Sequence, residues 1–596
     1  MSLSRGTPLY TTFGEELDRS KPWDVYPRPQ LRRESFLNLN GLWDYAIRKE
    51  SALPTSYDGK ILVPFSPEAP LSGVNRQLQP NEYLFYRTTF TLPEHFNQGR
   101  ILLHFGAVDQ TCTIYLNGEK VGSHQGGFLP FALDITEQIH SNTENCLILQ
   151  VRDVTDTSYY SHGKQRLRRG DIWYTAQSGI WQTVWLESVP DTYISALRIT
   201  PDYDHACIRI AVTQVGGRRL PCGFTVRAEG TELLHQESTA EEAVLELPDF
   251  RPWSPEEPFL YDLEVTCGDD RVISYFGMRK ISAGIDTDGN RRIFLNNRPY
   301  FNSGLLDQGY WPDGLLTPPS TAAIQYDLEQ TKSLGFNMLR KHIKIEPDWW
   351  YYACDQLGIL VWQDFVNGGG QASFLVRSRI VRLKQNASDR SEHYHAMGRQ
   401  DPAGREMYWQ EAHGTVEQLY NHPCIVVWVP FNEGWGQFDS AAVYKKVKQW
   451  DPTRLVDHAS GWYDQGSGDF NSRHDYSAAP AIQSDSRIKA LTEFGGLALA
   501  EPEHTFQTGQ KMFGYQYFKT HEAQDDALQK LYEQHILPEI PNGLSACVYT
   551  QLTDVESELN GLMTYDRKVL KFGAGRIRSI NQQLLQTEIP CPTSEK

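Results

Sequence analysis

Two hydrophobic patterns follow each other along the chain and divide it near residue 283. Before that point, short β-branched or aromatic segments alternate with turn clusters such as Leu116-Asn117-Gly118-Glu119, and helical periodicity is nearly absent. After it, strand-like segments alternate with helical ones. Closely spaced short strands predict β-sandwiches, whereas alternation with helices predicts a parallel sheet covered by helices.

The first part of the chain predicts two β domains. Residues 1–190 contain strand-like segments at 39–47, 83–91, 101–105, 112–116, 146–152 and 183–187, which is typical of a jelly-roll sandwich. Pro190 and Asp191 mark a break. Residues 191–282 carry a second strand series whose length suits an immunoglobulin-like β-sandwich, although no Cys…Trp…Cys pattern marks it.

Residues 283–596 predict a (β/α)8 TIM barrel. The eight strand-like segments lie at 300–304, 336–341, 359–365, 424–431, 455–458, 474–476, 489–493 and 545–549. Helical patterns lie at 321–334, 347–357, 440–450 and 524–537, in a long stretch that ends at 421, and at the end of the chain. This number of strands and this alternation are typical of the fold.

Two of the predicted barrel strands end on a glutamate. Residues 425–431 are apolar without a polar break and stop at Asn432-Glu433-Gly434, and the stretch IKALTEFGG stops at Glu493 and two glycines. The carboxyl ends of barrel strands face the active site. Either glutamate alone is equally consistent with a surface loop residue or a helix cap, but together they predict two carboxylates at one mouth.

Two carboxyl groups at one site are the chemistry that glycoside cleavage needs. One protonates the leaving oxygen, and the other forms a glycosyl ester or activates water beneath the anomeric carbon. Neighbouring carboxyls push their pKa values apart, so that one stays protonated while the other is ionised. Asn432, beside Glu433, could hold a sugar hydroxyl. The residues therefore predict a glycosidase.

Composition and charge limit the classes of molecule that the protein is expected to bind. The net charge of -17 argues against a nucleic-acid or acidic-membrane partner and favours a neutral or cationic small molecule. The 15 Trp, 30 Tyr and 26 Phe suit stacking on sugar rings. Nothing in the sequence calls for a cofactor.

Nine cysteines without CxxC or CxxH spacing predict neither a disulfide framework nor a zinc site, and buried thiols are the simpler interpretation. The start of the chain does not resemble a secretory signal, and no apolar run is long enough to span a bilayer, so we expect a cytoplasmic protein.

The chain as a whole resembles glycoside hydrolase family 2, the family of β-galactosidases, β-glucuronidases and β-mannosidases. Separate motifs in the family's order carry the resemblance across nearly all 596 residues. They are LNGLWDY, VPFSPEAPLSG, SGIWQTVWLE, GFNMLRKH, CDQLGILVWQDF, VPFNEGWG, LTEFGG and YTQLTDVESELNGL. The resemblance implies a sugar-binding jelly roll, an immunoglobulin-like domain and a catalytic barrel.

The resemblance also implies roles for individual residues. Glu433 is expected to be the general acid/base, Glu493 the nucleophile, and Asn432 a donor to the sugar beside the cleaved bond. Arg340 in NMLRKH matches an arginine that keeps the nucleophile ionised, with a structural ion pair as the alternative. Tyr476 matches a tyrosine that touches the nucleophile, with a core tyrosine as the alternative.

Further substrate-binding candidates follow from the same comparison. Asp171 lies near where an aspartate of the jelly roll reaches the barrel mouth, although its spacing to Ser178-Gly179 is about two residues longer than the resemblance suggests. Tyr549 stands where relatives often carry a Trp. Additional stacking candidates, with core packing as the alternative, are Trp311, Trp435 and Trp462.

The chain departs from the family pattern at positions that determine which sugar is bound. Where galactose-acting relatives have histidines and a metal-binding acid and histidine, this chain has Asp307-Gln308, Ile343 and Asp364-Phe365-Val366. We therefore expect no catalytic magnesium, treat His342 as structural, and keep Asp307 as a substrate-binding candidate. The Asn-x-Lys pair of β-glucuronidases is missing, and WQDF is similar to β-mannosidases.

The sequence thus predicts a retaining exo-β-glycosidase that acts through a covalent glycosyl-enzyme intermediate. The best guess is a β-galactosidase-like enzyme, with galactofuranosides, arabinosides, glucuronides and mannosides as alternatives. Another alternative is a non-catalytic carbohydrate-binding protein, and a transglycosylase differs only in its acceptor. No GxSxG or HExxH stretch supports a serine or metal hydrolase. The oligomeric state stays open, a homo-oligomer included.

Overall fold

The chain forms two β-sandwiches followed by an eight-stranded parallel barrel, which confirms the predicted fold class. The coordinates are a computed structural model that describes residues 8–370, 387–506 and 512–591. None of the helices in these ranges combines the length and apolar character that a bilayer-spanning helix needs.

The first sandwich packs a six-stranded antiparallel sheet against a four-stranded one. Strand Asn145–Arg152 shows why: Leu147, Leu149 and Val151 alternate with more exposed residues and join the core between the sheets. The six-stranded sheet comprises Gly59–Val63, Gly41–Arg48, Tyr83–Phe90, Asn145–Arg152, Thr111–Leu116 and Glu119–Gln125. The four-stranded sheet comprises Leu37–Asn38, Val184–Val189, Arg100–Phe105 and Phe131–Asp134.

The second sandwich has a three-stranded and a four-stranded antiparallel sheet around its own hydrophobic core. The three strands are Tyr193–Asp202, Cys207–Val215 and Glu242–Glu246, and the four are Thr231–Ser238, Cys222–Ala228, Tyr261–Cys267 and Asp270–Phe276.

A disulfide in this sandwich shows that the expectation of unpaired thiols was wrong for two of the nine cysteines. Cys222 and Cys267 lie opposite each other on neighbouring antiparallel strands, with Cα atoms 4.5 Å apart, and their sulfurs are bonded. Their separation of 45 residues matches no short motif, so spacing could not reveal the pair. Because disulfides persist mainly in oxidising compartments, cytoplasmic location stays a prediction.

Removing this disulfide should destabilise the second sandwich. A cross-link that closes a loop of this length is worth about 2–4 kcal/mol through the entropy of the unfolded chain. The double variant Cys222→Ala/Cys267→Ala should therefore unfold at lower denaturant concentration, measured by calorimetry and urea titration of the full chain. Reductant should shift the wild type in the same direction and leave the variant unchanged; a wild type insensitive to reductant would contradict the bond.

Between the sandwiches and the barrel, a small antiparallel sheet of Ile281–Ile285, Arg291–Leu295 and Arg298–Pro299 packs against the barrel. The barrel strands, numbered 1 to 8 below, are Asn302–Asp307, Met338–Lys341, Leu360–Asp364, Ile425–Val429, Leu455–Val456, Phe470–Asp475, Ile488–Gly495 and Leu544–Thr550. All pair in parallel in the order 5-4-3-2-1-8-7-6, so that the ring stays open between strands 5 and 6.

Helices cover the outside of the barrel. They are Thr321–Ser333, Asp348–Leu357, Pro402–Leu419, Ser440–Trp450, His521–Leu531 and Ala574–Gln586. The helical stretch predicted after strand 3 is a helix from residue 402, while residues 371–386 of that prediction lie outside the described residues.

The first sandwich also reaches the barrel mouth, the end where the strands' carboxyl termini meet. Residues 160–163 contact the loop after strand 3, where the amides of His162 and Gly163 donate to the Asn367 carbonyl (3.1 and 2.9 Å). The Tyr174 hydroxyl donates to Glu558 (2.5 Å). The mouth is therefore built from two domains.

Candidate active site

Glu433 lies at the mouth just beyond strand 4. Its amide donates to the Ser460 carbonyl (3.0 Å), and Asn432 forms a parallel bridge with Ser460, so the strand direction continues to the glutamate. Glu433 has a φ of +53°, in the left-handed region that a side chain rarely adopts. Such backbone strain is typical of functional positions, because the surrounding structure must hold it.

Glu493 belongs to strand 7, and a β-bulge orients it. Leu491 pairs with Cys547 and Phe494 with Tyr549, so Thr492 and Glu493 together oppose a single residue of strand 8. The pairing with strand 6 also skips Thr492. The extra residue changes the direction of the side chains that follow, and here it brings Glu493 to the mouth.

The two glutamates meet, although sixty residues separate them in the chain. A carboxylate oxygen of Glu433, a ring nitrogen of His474 and a carboxylate oxygen of Glu493 all lie within 4.8 Å of one another. Glu433 is 5% and Glu493 4% exposed. This short separation is close to the roughly 5–5.5 Å between carboxyl groups that characterises retaining glycosidases.

Arg340, at the end of strand 2, connects Glu493 to Asp364 and Asn432. Its fully buried guanidinium forms a bidentate pair with Asp364 (2.9 and 3.1 Å) and donates to Glu493 Oε1 (3.2 Å) and Asn432 Oδ1 (2.7 Å). A guanidinium stays protonated, so this contact stabilises Glu493 as an anion.

His474 contacts both glutamates. Its Nε2 lies 3.3 Å from an Arg340 nitrogen that can only donate, so Nε2 accepts and Nδ1 carries the proton. Nδ1 lies 2.9 Å from Glu433 Oε1 and 3.4 Å from Glu493 Oε2. Burial lowers the pKa of His474 to about 4, so the imidazole is neutral near pH 7. It therefore donates a hydrogen bond without adding a charge.

Burial has the opposite effect on Glu433. It raises the pKa of this carboxyl to about 7, against the positive charges of Lys164 and Arg340, which lower it. Glu433 thus keeps its proton to a higher pH than an ordinary glutamate. Glu433, with a pKa near neutrality, can act as an acid, while its neighbour Glu493 lies against the Arg340 guanidinium.

An aromatic pair borders Glu493. The Tyr476 hydroxyl donates a short hydrogen bond to Glu493 Oε2, and its ring stacks on that of Tyr515, with centroids 3.5 Å apart. Tyr476 therefore contacts Glu493, as the resemblance to the family implied.

Three more of the predicted binding residues lie at this site. The Nδ2 of Asn432 is buried and has no hydrogen-bond partner within the described ranges, so a donor is available. Trp435 packs against Trp173 of the first sandwich, with centroids 4.9 Å apart. Trp462 lies edge-on to His474, with centroids 6.1 Å apart.

Four predicted binding residues have other surroundings. Tyr549 is fully buried against Phe494 and Phe572, because it belongs to the packed interior of strand 8. Trp311 is buried under the Arg567 guanidinium, 3.8 Å from its ring centroid. We therefore interpret both as packing residues.

The other two are acids. Asp307 forms ion-pair contact with Lys341 (2.5 Å), which occupies its carboxylate. Asp171 is exposed at a left-handed turn, and its carbonyl accepts from Ser557. The first sandwich reaches the mouth with Lys164 instead.

The sequence did not identify several residues that the structure brings here: His474, Asp364, Tyr515, Glu558 and Lys164. One signal was present for His474, since residues 474 and 476 of a strand point to the same side and Tyr476 had been selected. For Asp364 the signal was its position: it is the last residue of strand 3, just as Glu433 follows the end of strand 4. Lys164 belongs to another domain, so no local pattern could indicate it.

Glu433, His474 and Glu493 are also close enough to act together as metal ligands. Two carboxylates and an imidazole suit a transition metal better than magnesium, which prefers an oxygen octahedron. The absence of a catalytic magnesium stays a prediction.

Comparison with known families gives three matches in chain order. Residues 68–175 match the model "Glycosyl hydrolase 2 galactose-binding domain-like", residues 192–279 match "Glycosyl hydrolases family 2", and residues 319–507 match "Glycosyl hydrolases family 2, TIM barrel domain". The third match contains Arg340, Glu433 and Glu493.

Individual relatives are more distant. The chain is 25% identical over 301 residues to a β-galactosidase of Thermoanaerobacter pseudethanolicus, an alignment that covers 47% of this chain and 39% of that protein. It is 24% identical over 369 residues to a putative β-glucuronidase of Formosa agariphila, covering 59% of this chain and 39% of the relative. The matched part is thus about two-fifths of either relative's length.

A solved structure resembles almost the whole chain. The β-D-glucuronidase of Dictyoglomus thermophilum superposes with a TM-score of 0.73, covering 95% of this chain and 99% of the other, at 16% sequence identity. At this identity the likeness concerns the fold.

Proposed function

The chain belongs to glycoside hydrolase family 2, and we propose that it is a retaining exo-β-glycosidase. The observation that carries this proposal is the close approach of Glu433 and Glu493, whose ligand atoms lie within 4.8 Å of each other and of His474. An inverting enzyme needs about 6.5–9.5 Å between its carboxyl groups to hold a water molecule, which this site does not offer.

In the first proposed step, Glu493 attacks the anomeric carbon and forms a glycosyl ester. Glu433 donates its proton to the glycosidic oxygen as that bond breaks, so that the aglycone leaves as an alcohol. The pKa of about 7 keeps Glu433 protonated up to neutral pH. Arg340 and Tyr476 keep Glu493 anionic and fix its orientation.

In the second step, Glu433, now ionised, takes a proton from water. The resulting hydroxide attacks the anomeric carbon from the face the aglycone left, and Glu493 departs as a carboxylate. Two inversions give net retention. The Nδ1–H of His474 donates to Glu433 and lies 3.4 Å from Glu493, so we assign His474 a positioning role.

The first sandwich supports an exo mode of action. Its segment 155–178 lies over one side of the mouth, where Trp173 packs on Trp435. A mouth bounded in this way accommodates the end of a saccharide better than the middle of a chain.

The sugar is a separate question. The named relatives include a β-galactosidase and a putative β-glucuronidase, so family membership leaves the predicted β-galactosidase-like specificity and its alternatives open. The non-catalytic alternative is less favoured, because a binding protein has no need to keep a buried acid and, beside it, a second carboxylate held by an arginine.

The first-formed anomer tests the proposal directly. A panel of nitrophenyl glycosides, furanosides included, should contain at least one substrate. Proton NMR during early turnover of a β-glycoside should show the β-sugar first, with the α-sugar appearing only by mutarotation. The α-anomer as first product would contradict retention, and no turnover across the panel would favour the binding-protein alternative.

A further inference from the structure

A lysine of the first sandwich enters the barrel mouth. Lys164 immediately precedes the short strand Gln165–Arg166 and is only 6% exposed. Its ammonium lies 4.7 Å from the ring centroid of Trp435 and 5.9 Å from that of Trp173. The ammonium therefore lies between a tryptophan of the first sandwich and one of the barrel.

The backbone around Lys164 is fixed against the barrel. The Gly163 amide donates to the Asn367 carbonyl, and the Tyr174 backbone amide donates to the Lys164 carbonyl (3.0 Å). Gly163 has a φ of +58°, and a Cβ at this position would lie 3.0 Å from the Ile343 carbonyl oxygen. A glycine thus allows the close approach that delivers the lysine.

Among the residues that the structure describes, Lys164 differs from the other buried lysines because no carboxylate pairs with it. Each of the others pairs with a carboxylate at 2.5 to 2.8 Å: Lys341 with Asp307, Lys344 with Glu346, Lys489 with Glu539 and Lys571 with Asp554. Within residues 8–370, 387–506 and 512–591, no carboxylate lies within ion-pairing distance of the Lys164 ammonium.

The Lys164 ammonium has no carboxylate partner in the described chain, which makes a bound anion its natural counterion. The positive charge of Lys164 lowers the pKa of the Glu433 and Glu558 carboxyl groups and of the His342 and His474 imidazoles, so the ammonium lies near these groups. The buried Asn432 Nδ2, which lacks a partner in the described chain, stays available for a sugar hydroxyl.

We propose that Lys164 binds the carboxylate of an acidic terminal sugar, so that the substrate class is the β-hexuronides. This inference rests on the proposed glycosidase function. A carboxylate at C6 carries one negative charge, which one ammonium neutralises in a site with little water. The expectation of a neutral or cationic substrate came from the net charge, but a buried charge at the site outweighs distant surface charges.

The proposal also accounts for the missing Asn-x-Lys pair. Here the cation comes from the first sandwich instead of the barrel, so a barrel motif is not needed. Lys164 is then a specificity-determining residue that contacts the sugar, whereas Glu433 and Glu493 perform the reaction.

The test compares substrates that differ only at C6. These are the p-nitrophenyl β-D-glucuronide and β-D-galacturonide and the corresponding glucoside and galactoside. We expect wild-type kcat/KM to favour one uronide over its neutral counterpart by about 100-fold, as for a charged hydrogen bond. Lys164→Met should remove this preference, mainly through a higher KM for the uronide, and should lower kcat/KM for the neutral substrates less than for the uronide. Lys164→Arg should keep a preference for the uronide.

The exposed Lys120 of strand Glu119–Gln125 offers a matched control, since Lys120→Met makes the same change away from the mouth. Thermal unfolding of each variant, with and without free galacturonate, glucuronate, galactose or glucose, measures folding and binding without turnover. Only the uronates should raise the wild-type melting temperature, and this shift should disappear in Lys164→Met.

Several results would overturn the inference. A wild type that prefers neutral glycosides would leave the glycosidase proposal standing and remove this one. Equal losses on both substrate classes, with a shifted pH profile, would show that Lys164 only tunes Glu433. Stabilisation by uronates without hydrolysis of any glycoside would retain the anion site and reject the proposed function. If Lys164→Met does not fold, the wild type alone tests the inference, because an absence of preference for uronides overturns it.

Discussion

Replacement of Glu493 by glycine should lower kcat by at least about 10⁴-fold, because loss of the attacking group removes the covalent path entirely. Added azide should restore turnover by entering the space that the carboxylate leaves. Its product should be the α-glycosyl azide, since a single displacement inverts the anomeric centre. Release of nitrophenol and proton NMR of the azide product measure both effects.

Two further variants complete this test. Glu493→Gln keeps the shape of the side chain and should lose activity without azide rescue. Glu503→Gln changes an exposed glutamate of the short turn Pro502–His504 and should behave like the wild type. A β-configured azide product, or normal turnover by Glu493→Gln, would remove the assignment of Glu493 as nucleophile.

Replacement of Glu433 by glutamine should have the second-largest effect, and its size should depend on the leaving group. With alkyl or sugar aglycones, kcat/KM should fall by at least about 10³-fold, because an alkoxide leaves poorly without a proton. A dinitrophenolate leaves unaided, so the first step on such a substrate should change far less. Steady-state rates across a series of aglycones measure this dependence.

The pH profile provides an independent readout of the same residue. Glu433 acts as an acid only while protonated, and burial raises its pKa to about 7. Wild-type kcat/KM should therefore fall as the pH rises through about 7. Glu433→Gln cannot titrate, so the fall on the alkaline side should disappear.

Glu411 is a suitable control for this profile. It is buried beside Ser161, and burial raises its pKa to about 7 as well, yet it lies on the helix Pro402–Leu419 and not at the carboxyl pair. Glu411→Gln should keep the alkaline fall. Persistence of that fall in Glu433→Gln together with its loss in Glu411→Gln would contradict the assignment of the acid.

Local sequence was sufficient for the architecture and for the two glutamates. The apolar run before Asn432 and the run before Glu493 are strands buried on both faces, and their polar ends must leave the core. All eight predicted barrel strands have counterparts in the structure. Because such patterns depend on neighbours in the chain, they can be recognised without the tertiary structure.

Other features depended on contacts between distant segments. The bulge at Thr492 orients Glu493, and His474 contacts both glutamates only because strands 6 and 7 lie side by side. The sulfurs of Cys222 and Cys267 meet across two paired strands. Tyr549 resembled a sugar-binding residue in sequence position, but packing buried it.

The sequence by itself therefore determined the domain types, the strand ends and the pair of acids, because burial periodicity and turn chemistry are local properties. The tertiary structure decided which side chains share one pocket and in what charge state. Burial of Glu433, the guanidinium of Arg340 beside Glu493 and the entry of Lys164 from another domain all arise from long-range packing, which alone sets the distances and the solvent access that govern charge.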